Sequence, residues 1–190
     1  MIWLARHGQT AYNHARRFQG HLPVPLDDTG RAQAHALARE AAGREWAALW
    51  CSPLERALQT ARIVGEAIEL EPRPDARFAE TDCGDWTDRP FDEVEREDPE
   101  RFRRFITADP GFAFPGGESF AQQGERIQQG LDDVRAGALP ALVVCHRGVM
   151  RLALTHARGA RLSAIDVPNA SLVELGRYPR DRCADTGGRP

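Results

Sequence analysis

The sequence predicts an α/β fold: a three-layer α/β/α sandwich around a mostly parallel central sheet. Three observations point there. Short runs that are apolar on both faces recur at Ile2–Ala5, 47–51 and Ala141–Cys145, as expected of strands buried inside a parallel sheet. Longer segments between them carry apolar residues at helical spacing. The two kinds of segment alternate, which calls for helices on both faces of one sheet.

Each element has a local reason. The run Ile2 to Ala5 stops at Arg6-His7-Gly8. Residues Thr10 to Asp28 contain Gly20, Pro23 and Pro25 and read as a loop. Thr29 can cap a helix in which Ala34, Leu37, Ala38 and Ala41 form one stripe, with Gly43 as its stop. The strand 47–51 runs into Ser52-Pro53, which reads as cap and first helical residue. The stripe Leu54, Ala57, Leu58, Ala61, Val64 and Ile68 continues that helix, with Arg56 off the stripe.

Phe78-Ala79 predicts a minimal strand leading to Glu80, and residues 83–100 a loop with broken helix. A helix follows from about Pro99 to Thr107. After Pro115-Gly116-Gly117, another helix places Phe120, Ile127, Leu131 and Val134 on one face. Ala141–Cys145 is the clearest buried strand, followed by a helix with Val149, Leu152 and Ala153, then a strand over Ser171–Leu175. Residues 1–178 read as one α/β unit and 179–190 as an irregular tail.

Composition excludes several functions. No apolar run approaches the roughly 18 residues of a membrane helix, and the short apolar start lacks the basic lead of a signal sequence; a cytoplasmic location is expected. The net charge of −3 argues against nucleic-acid or acidic-membrane partners. Cys51, Cys83, Cys145 and Cys183 are scattered with no C-x-x-C pair, as reduced thiols are. All 25 basic residues other than histidine are Arg. That removes Schiff-base chemistry and the P-loop lysine, so a phosphate site must use Arg, His and backbone N–H groups.

His7, Arg56, Glu80 and His146 each fall just beyond the C-terminal end of an expected strand. Ligands of open α/β sheets bind at that edge. The segments Arg6-His7-Gly8-Gln9-Thr10 with Asn13, Ser52-Pro53-Leu54-Glu55-Arg56-Ala57 with Gln59-Thr60-Ala61, Glu80 with Gly84 and Trp86, and Cys145-His146-Arg147-Gly148 resemble the histidine phosphatase superfamily, in its phosphoglycerate-mutase-like branch. The resemblance runs from residue 2 to about residue 175.

It implies the following chemistry. His7 attacks phosphorus with one ring nitrogen while the other donates to a backbone carbonyl. Arg6 and Arg56 offer planar forks of donors to the phosphoryl oxygens and keep His7 neutral. His146 is a second donor, and the helix after Arg147 turns its N–H groups to the anion. Glu80 protonates the leaving alkoxide and then activates water. Asp82, Asp85, Asp88 and Glu118 are nearby acidic competitors for that role. The candidate substrate contacts are Arg6, Asn13, Gln19, Gly20, Arg56 and Arg147. Neither a metal nor another cofactor is expected, and the partner is a small phosphate monoester. Oligomeric state stays open, a homodimer among the options.

The sequence departs from the pattern at Arg147, where Gly is frequent, at Thr87-Asp88, where Gly is frequent, and at Cys83, where an aromatic is common. A phosphatase is favoured over a cofactor-dependent phosphoglycerate mutase because mutases of the branch are generally longer. A non-catalytic phospho-ligand or protein-binding module is the other alternative. Gly117-Glu118-Ser119-Phe120-Ala121 approximates a serine nucleophile elbow, but no strand precedes it, so Ser119 reads as a helix start. His14, His35 and His156 read as structural or exposed; His21 lies in a loop able to border the pocket.

Overall fold

The computed structural model describes residues 1–158 and 166–176. The tail expected at 179–190 and Cys183 lie outside the described residues. Five strands form one sheet in the order β3-β2-β4-β1-β5: β1 (Ile2–Arg6), β2 (Ala48–Cys51), β3 (Arg73–Pro74), β4 (Ala141–Cys145) and β5 (Leu172–Glu174). Pairing is parallel throughout except for β5, which runs antiparallel to β1. The expected three-layer architecture is present.

Successive residues of each strand feed opposite cores, as the period of two requires. On one face Ile2, Leu4, Val143 and Cys145 pack with Ile127, Leu131 and Val134 of α6 (Phe120–Ala136) and Met150 and Leu154 of α7 (Arg147–Arg158). On the other, Ala5, Leu49, Cys51 and Val144 pack with Leu37 and Ala41 of α2 (Asp28–Ala42) and Ala57, Ala61 and Val64 of α3 (Glu55–Ile68). A third cluster stands apart from the sheet. Phe18, Trp86, Phe102, Phe112 and Phe114 are buried together, beneath α4 (Phe91–Glu97) and α5 (Pro99–Ile106). Among the described residues, no helix is long and apolar enough to cross a membrane.

Several local expectations are corrected. The loop after Thr10 contains a single helical turn, α1 (Ala11–His14), because Thr10 and Asn13 satisfy each other's backbone in a capping box. Asp27, not Thr29, caps α2: its carboxylate accepts from the Gly30 N–H at 2.7 Å. Ser52-Pro53 does not start α3, whose cap is Leu54 without a side-chain bond, because the Ser52 hydroxyl is engaged elsewhere. Phe78-Ala79 is not a strand. Asp75 caps a 3-10 turn over Ala76–Phe78, and the edge strand is Arg73–Pro74. Ser119 is a helix cap with Gln122 closing the box, which disposes of the nucleophile elbow. The stop at Gly43 and the start at Pro99 stand as expected.

Candidate functional site

Parallel register assembles the site. Arg6 pairs with Cys145, and the next residue's amide, that of His7, donates to the Cys145 carbonyl at 3.0 Å. His7 and His146 therefore leave adjacent strands one step apart, with ring centroids 5.1 Å from each other. On the far side of β4 the Ser52 amide donates to the Val144 carbonyl at 2.9 Å, so Ser52, His146 and His7 stand side by side on three neighbouring strand ends. The backbone is tight here. A Cβ on Gly8 would meet the Gly30 carbonyl oxygen at 2.2 Å, so the turn after His7 closes against the start of α2 only as glycine.

His7 is 2% exposed. Its Nδ1 lies 2.6 Å from the Gly8 carbonyl oxygen, which can only accept, so Nδ1 carries the proton and Nε2 keeps its lone pair. Burial, then the nearby Arg56 and Arg6 guanidiniums, hold the ring well below the usual imidazole range, outweighing the bond to Gly8. His146 has no exposed surface and does not reach the cavity wall. Burial, then Arg56, His7 and Arg6, depress it likewise.

Arg56 was expected off the apolar stripe of α3; it is 1% exposed and sits in the helix's first turn. Its two terminal nitrogens donate to the carbonyls of Gly20 (2.9 Å) and Leu22 (3.2 Å). Half of the expected fork thus fastens the 20–22 loop. Arg6 donates through Nη1 to the Val167 carbonyl at 2.8 Å. Burial lowers both guanidiniums to about 10, Arg147 adding to the effect on Arg6; they remain charged at neutral pH. The Nε atoms of Arg6 and Arg56 and Nδ1 of His146 are buried and lack a hydrogen-bond partner. Buried polar atoms are almost always paired. Three orphans on these residues mark a place prepared for an acceptor.

Glu80 follows the 3-10 turn, not a strand end. Oε1 accepts from the Thr81 amide (3.0 Å) and Gln123 Nε2 (3.3 Å), and Oε2 from the Gly148 amide (3.2 Å). The first turn of α7, expected to face the anion, thus spends that N–H on the carboxylate. His21 donates from Nε2 to the Glu80 carbonyl at 2.7 Å. Arg126 pairs with Glu118 at 2.6 Å and donates to the carbonyls of Arg77, Ala79 and Glu80. The competitors are thereby sorted. Glu118 is consumed by Arg126 and Asp88 by Arg17, Asp82 and Asp85 are exposed, and Glu80 is the one carboxylate lining the cavity among the described residues.

That cavity encloses about 520 Å³. Arg6, His7, Arg56 and Glu80 line it together with Asn13, Gln19, Gly20 and Arg147. Asn13 Oδ1 is occupied by Thr10 and Asn169, which leaves its NH₂ as the donor for a ligand. Gln19 serves the frame instead, accepting from the Thr10 hydroxyl at 2.9 Å. Arg147 is exposed at the wall. Phe91, Phe105, Ile106 and Phe120 add an apolar wall. Among the described residues, no group of three His, Cys, Asp or Glu gathers as a metal site. His14, His35 and His156 are exposed.

Sequence reasoning missed Ser52 as a site residue, as well as Thr60, Gln123 and Asn169. Thr60 accepts from the Gly8 amide at 3.1 Å, and Asn169 donates to the His7 carbonyl at 3.1 Å. Thr60 and Gln123 are polar residues on otherwise apolar stripes of α3 and α6, both fully buried. That misfit was a readable signal. Asn169 carried none.

Residues 2–184 match the family described as the histidine phosphatase superfamily, branch 1. The chain belongs to that superfamily. Among curated relatives, "Probable phosphoglycerate mutase GpmB" of Yersinia pestis (strain Pestoides F) is 34% identical over 145 residues, spanning 75% of this chain and 67% of that protein. Among solved structures, mycobacterial glucosyl-3-phosphoglycerate phosphatase Rv2419c, in complex with VO3, superposes with a TM-score of 0.81 and 31% identity over 90% of each chain. Bacillus stearothermophilus YhfR superposes with a TM-score of 0.83 and 28% identity, over 91% of this chain and 90% of its own. The histidine phosphatase fold and a phosphatase-type enzyme are what these neighbours support.

Proposed function

We propose that the chain is a metal-independent phosphomonoesterase acting on a small phosphorylated metabolite through a phosphohistidine on His7. One observation carries this reading: the His7 Nε2 lone pair lines a cavity beside two buried guanidiniums whose Nε atoms are unpartnered. A transferring phosphoryl group is stabilised mainly by positioned positive charge and hydrogen-bond donors. Arg6, Arg56, the Asn13 NH₂ and His146 supply them.

In the first step His7 Nε2 forms a bond to phosphorus as the ester P–O bond breaks, and protonated Glu80 gives its proton to the departing alkoxide. In the second, Glu80 takes a proton from water, whose oxygen attacks phosphorus; the N–P bond breaks and inorganic phosphate leaves with His7 neutral again. The low imidazole pKa serves both steps, because a protonated ring has no lone pair to attack with. The remaining space, with its Phe91, Phe105, Ile106 and Phe120 wall and the Arg147 guanidinium, takes the leaving alcohol.

Water as acceptor is favoured over a sugar acid by coverage: the neighbour named a phosphatase matches over 90% of both chains, the relative named a mutase over 67% of its own. Acid-labile radiolabel from a labelled monoester should appear on wild type and not on His7→Gln. Phosphate release from p-nitrophenyl phosphate should continue in EDTA and without bisphosphoglycerate. Label on His7→Gln, or strict dependence on bisphosphoglycerate, would overturn the reading.

A further inference from the structure

We propose that Ser52 is a positioning residue that sets the tautomer of His146: its hydroxyl donates to Nε2, so the ring proton sits on Nδ1 and faces the phosphoryl group. The inference rests on the phosphate site proposed above and adds a residue to it.

The Ser52 Oγ lies 2.7 Å from His146 Nε2, and neither side chain has any exposed surface. Either atom of that pair could be the donor. The surroundings decide between them. The Leu54 amide donates to the same Oγ at 3.2 Å, so one hydroxyl lone pair is already used. If Nε2 also donated to Oγ, the hydroxyl proton would need another acceptor, and among the described residues Oγ has no hydrogen-bond partner besides these two. A buried donor would go unpaired, which proteins avoid. With the hydroxyl donating to Nε2, every polar atom of Ser52 is satisfied, its amide being spent on the Val144 carbonyl.

The opposite end of the ring agrees. Nδ1 of His146 is buried and unpartnered, in the neighbourhood of the unpartnered Nε atoms of Arg6 and Arg56. A lone pair at Nδ1 would repel a phosphoryl oxygen; an N–H completes a set of donors for it. His7 and His146 then hold opposite roles, one offering a lone pair through Nε2 and the other a proton through Nδ1. The strand register enforces this division, because β2 delivers Ser52 beside β4's His146, while β1's His7 finds the Gly8 carbonyl instead.

Long-range ¹H–¹⁵N spectra of the ligand-free protein, with His146 assigned through His146→Gln, read the tautomer directly. Wild type should show a protonated Nδ1 and an unprotonated Nε2. Ser52→Ala should lose that preference, and its turnover of p-nitrophenyl phosphate should fall about tenfold to a hundredfold, the span for one lost charge-assisted hydrogen bond. Ser52→Thr, which keeps the hydroxyl, should restore tautomer and turnover together. A wild-type Nε2–H tautomer overturns the proposal even if Ser52→Ala does not fold, and so does a Ser52→Ala tautomer identical to wild type. A tautomer that switches while turnover and orthovanadate affinity stay unchanged instead overturns the phosphate-site reading of His146, leaving Ser52's hold on the ring intact.

Discussion

Gly148 donates its amide N–H to Glu80 Oε2 at 3.2 Å, and a Cβ at position 148 would fall 2.4 Å from Oε1 of the same carboxylate. The glycine of the His146-Arg147-Gly148 segment is thus explained by the acid it seats. Gly148→Ala raises intrinsic helix preference yet can be accommodated only by moving the carboxylate. The expected outcome is a loss of about a hundredfold in kcat, with the melting temperature and inorganic phosphate affinity close to wild type. Steady-state kinetics beside a thermal melt check this. Full activity in Gly148→Ala would put the general acid somewhere other than Glu80.

The main chain under Glu80 is held by Arg126, whose guanidinium spans three carbonyls and the two oxygens of Glu118. Arg126→Met keeps the aliphatic stem and abandons those acceptors. Because the pair is partly exposed, at 21% and 15%, a loss of about 2 to 3 kcal/mol is expected. Glu118→Gln, which keeps one acceptor for Arg126, should cost about 1 kcal/mol. Urea unfolding measures both. In each variant kcat should fall while KM for p-nitrophenyl phosphate moves little, since the phosphate donors are untouched.

Acid should destabilise the protein through two buried imidazoles. His7 and His146 are both held well below the usual histidine range, chiefly by burial. An unfolded chain takes up protons at these positions near pH 6.5, while the folded chain refuses them until much lower pH. Below about pH 6.5 the unfolded state therefore binds more protons, and stability falls as pH falls. The two together give a slope of up to about 2.7 kcal/mol per pH unit. Urea midpoints between about pH 7 and pH 5 should show it, and the double variant His7→Gln/His146→Gln should flatten it. A pH-independent midpoint in wild type would mean that the rings titrate as if exposed.

What could be read from the sequence was what local pattern encodes. Apolar runs placed β1, β2 and β4, and the periodic stripes placed α2, α3, α6 and α7. Because parallel register carries strand ends to one edge, His7, Arg56 and His146 could be placed there too. Contacts that depend on three-dimensional closure were not legible. Nothing near Asp27 says that it, rather than Thr29, meets the Gly30 amide. Ser52 looks like a cap because Pro53 follows it, yet its hydroxyl is claimed by His146, 94 residues away. Glu80 reached the site by a different route from the strand assigned to it: Asp75 accepts from the Arg77 amide and winds the chain into a 3-10 turn. The role expected for the α7 N-terminus failed for the same reason. Which group occupies an N–H is decided by what folding brings opposite it.

The aromatic cluster gives the last prediction. Phe112 is fully buried and stacks against Phe114 and Phe120 at centroid distances of 4.9 and 5.0 Å, and against Trp86 and Phe105 at 5.7 and 5.8 Å. It does not itself line the cavity, whereas Phe105, Phe114 and Phe120 do. Phe112→Ala should cost about 3 to 5 kcal/mol and loosen that wall without touching His7, Arg6 or Arg56. Two kinetic consequences should then separate. KM for a bulky monoester such as α-naphthyl phosphate should rise several-fold, because its alcohol portion packs on the loosened rings. Inhibition by inorganic phosphate, which meets only the charged end, should be unchanged. Equal weakening of both ligands would show instead that the cluster supports the phosphate donors, through the 3-10 turn Gly84–Trp86, which follows closely on Glu80 in the chain.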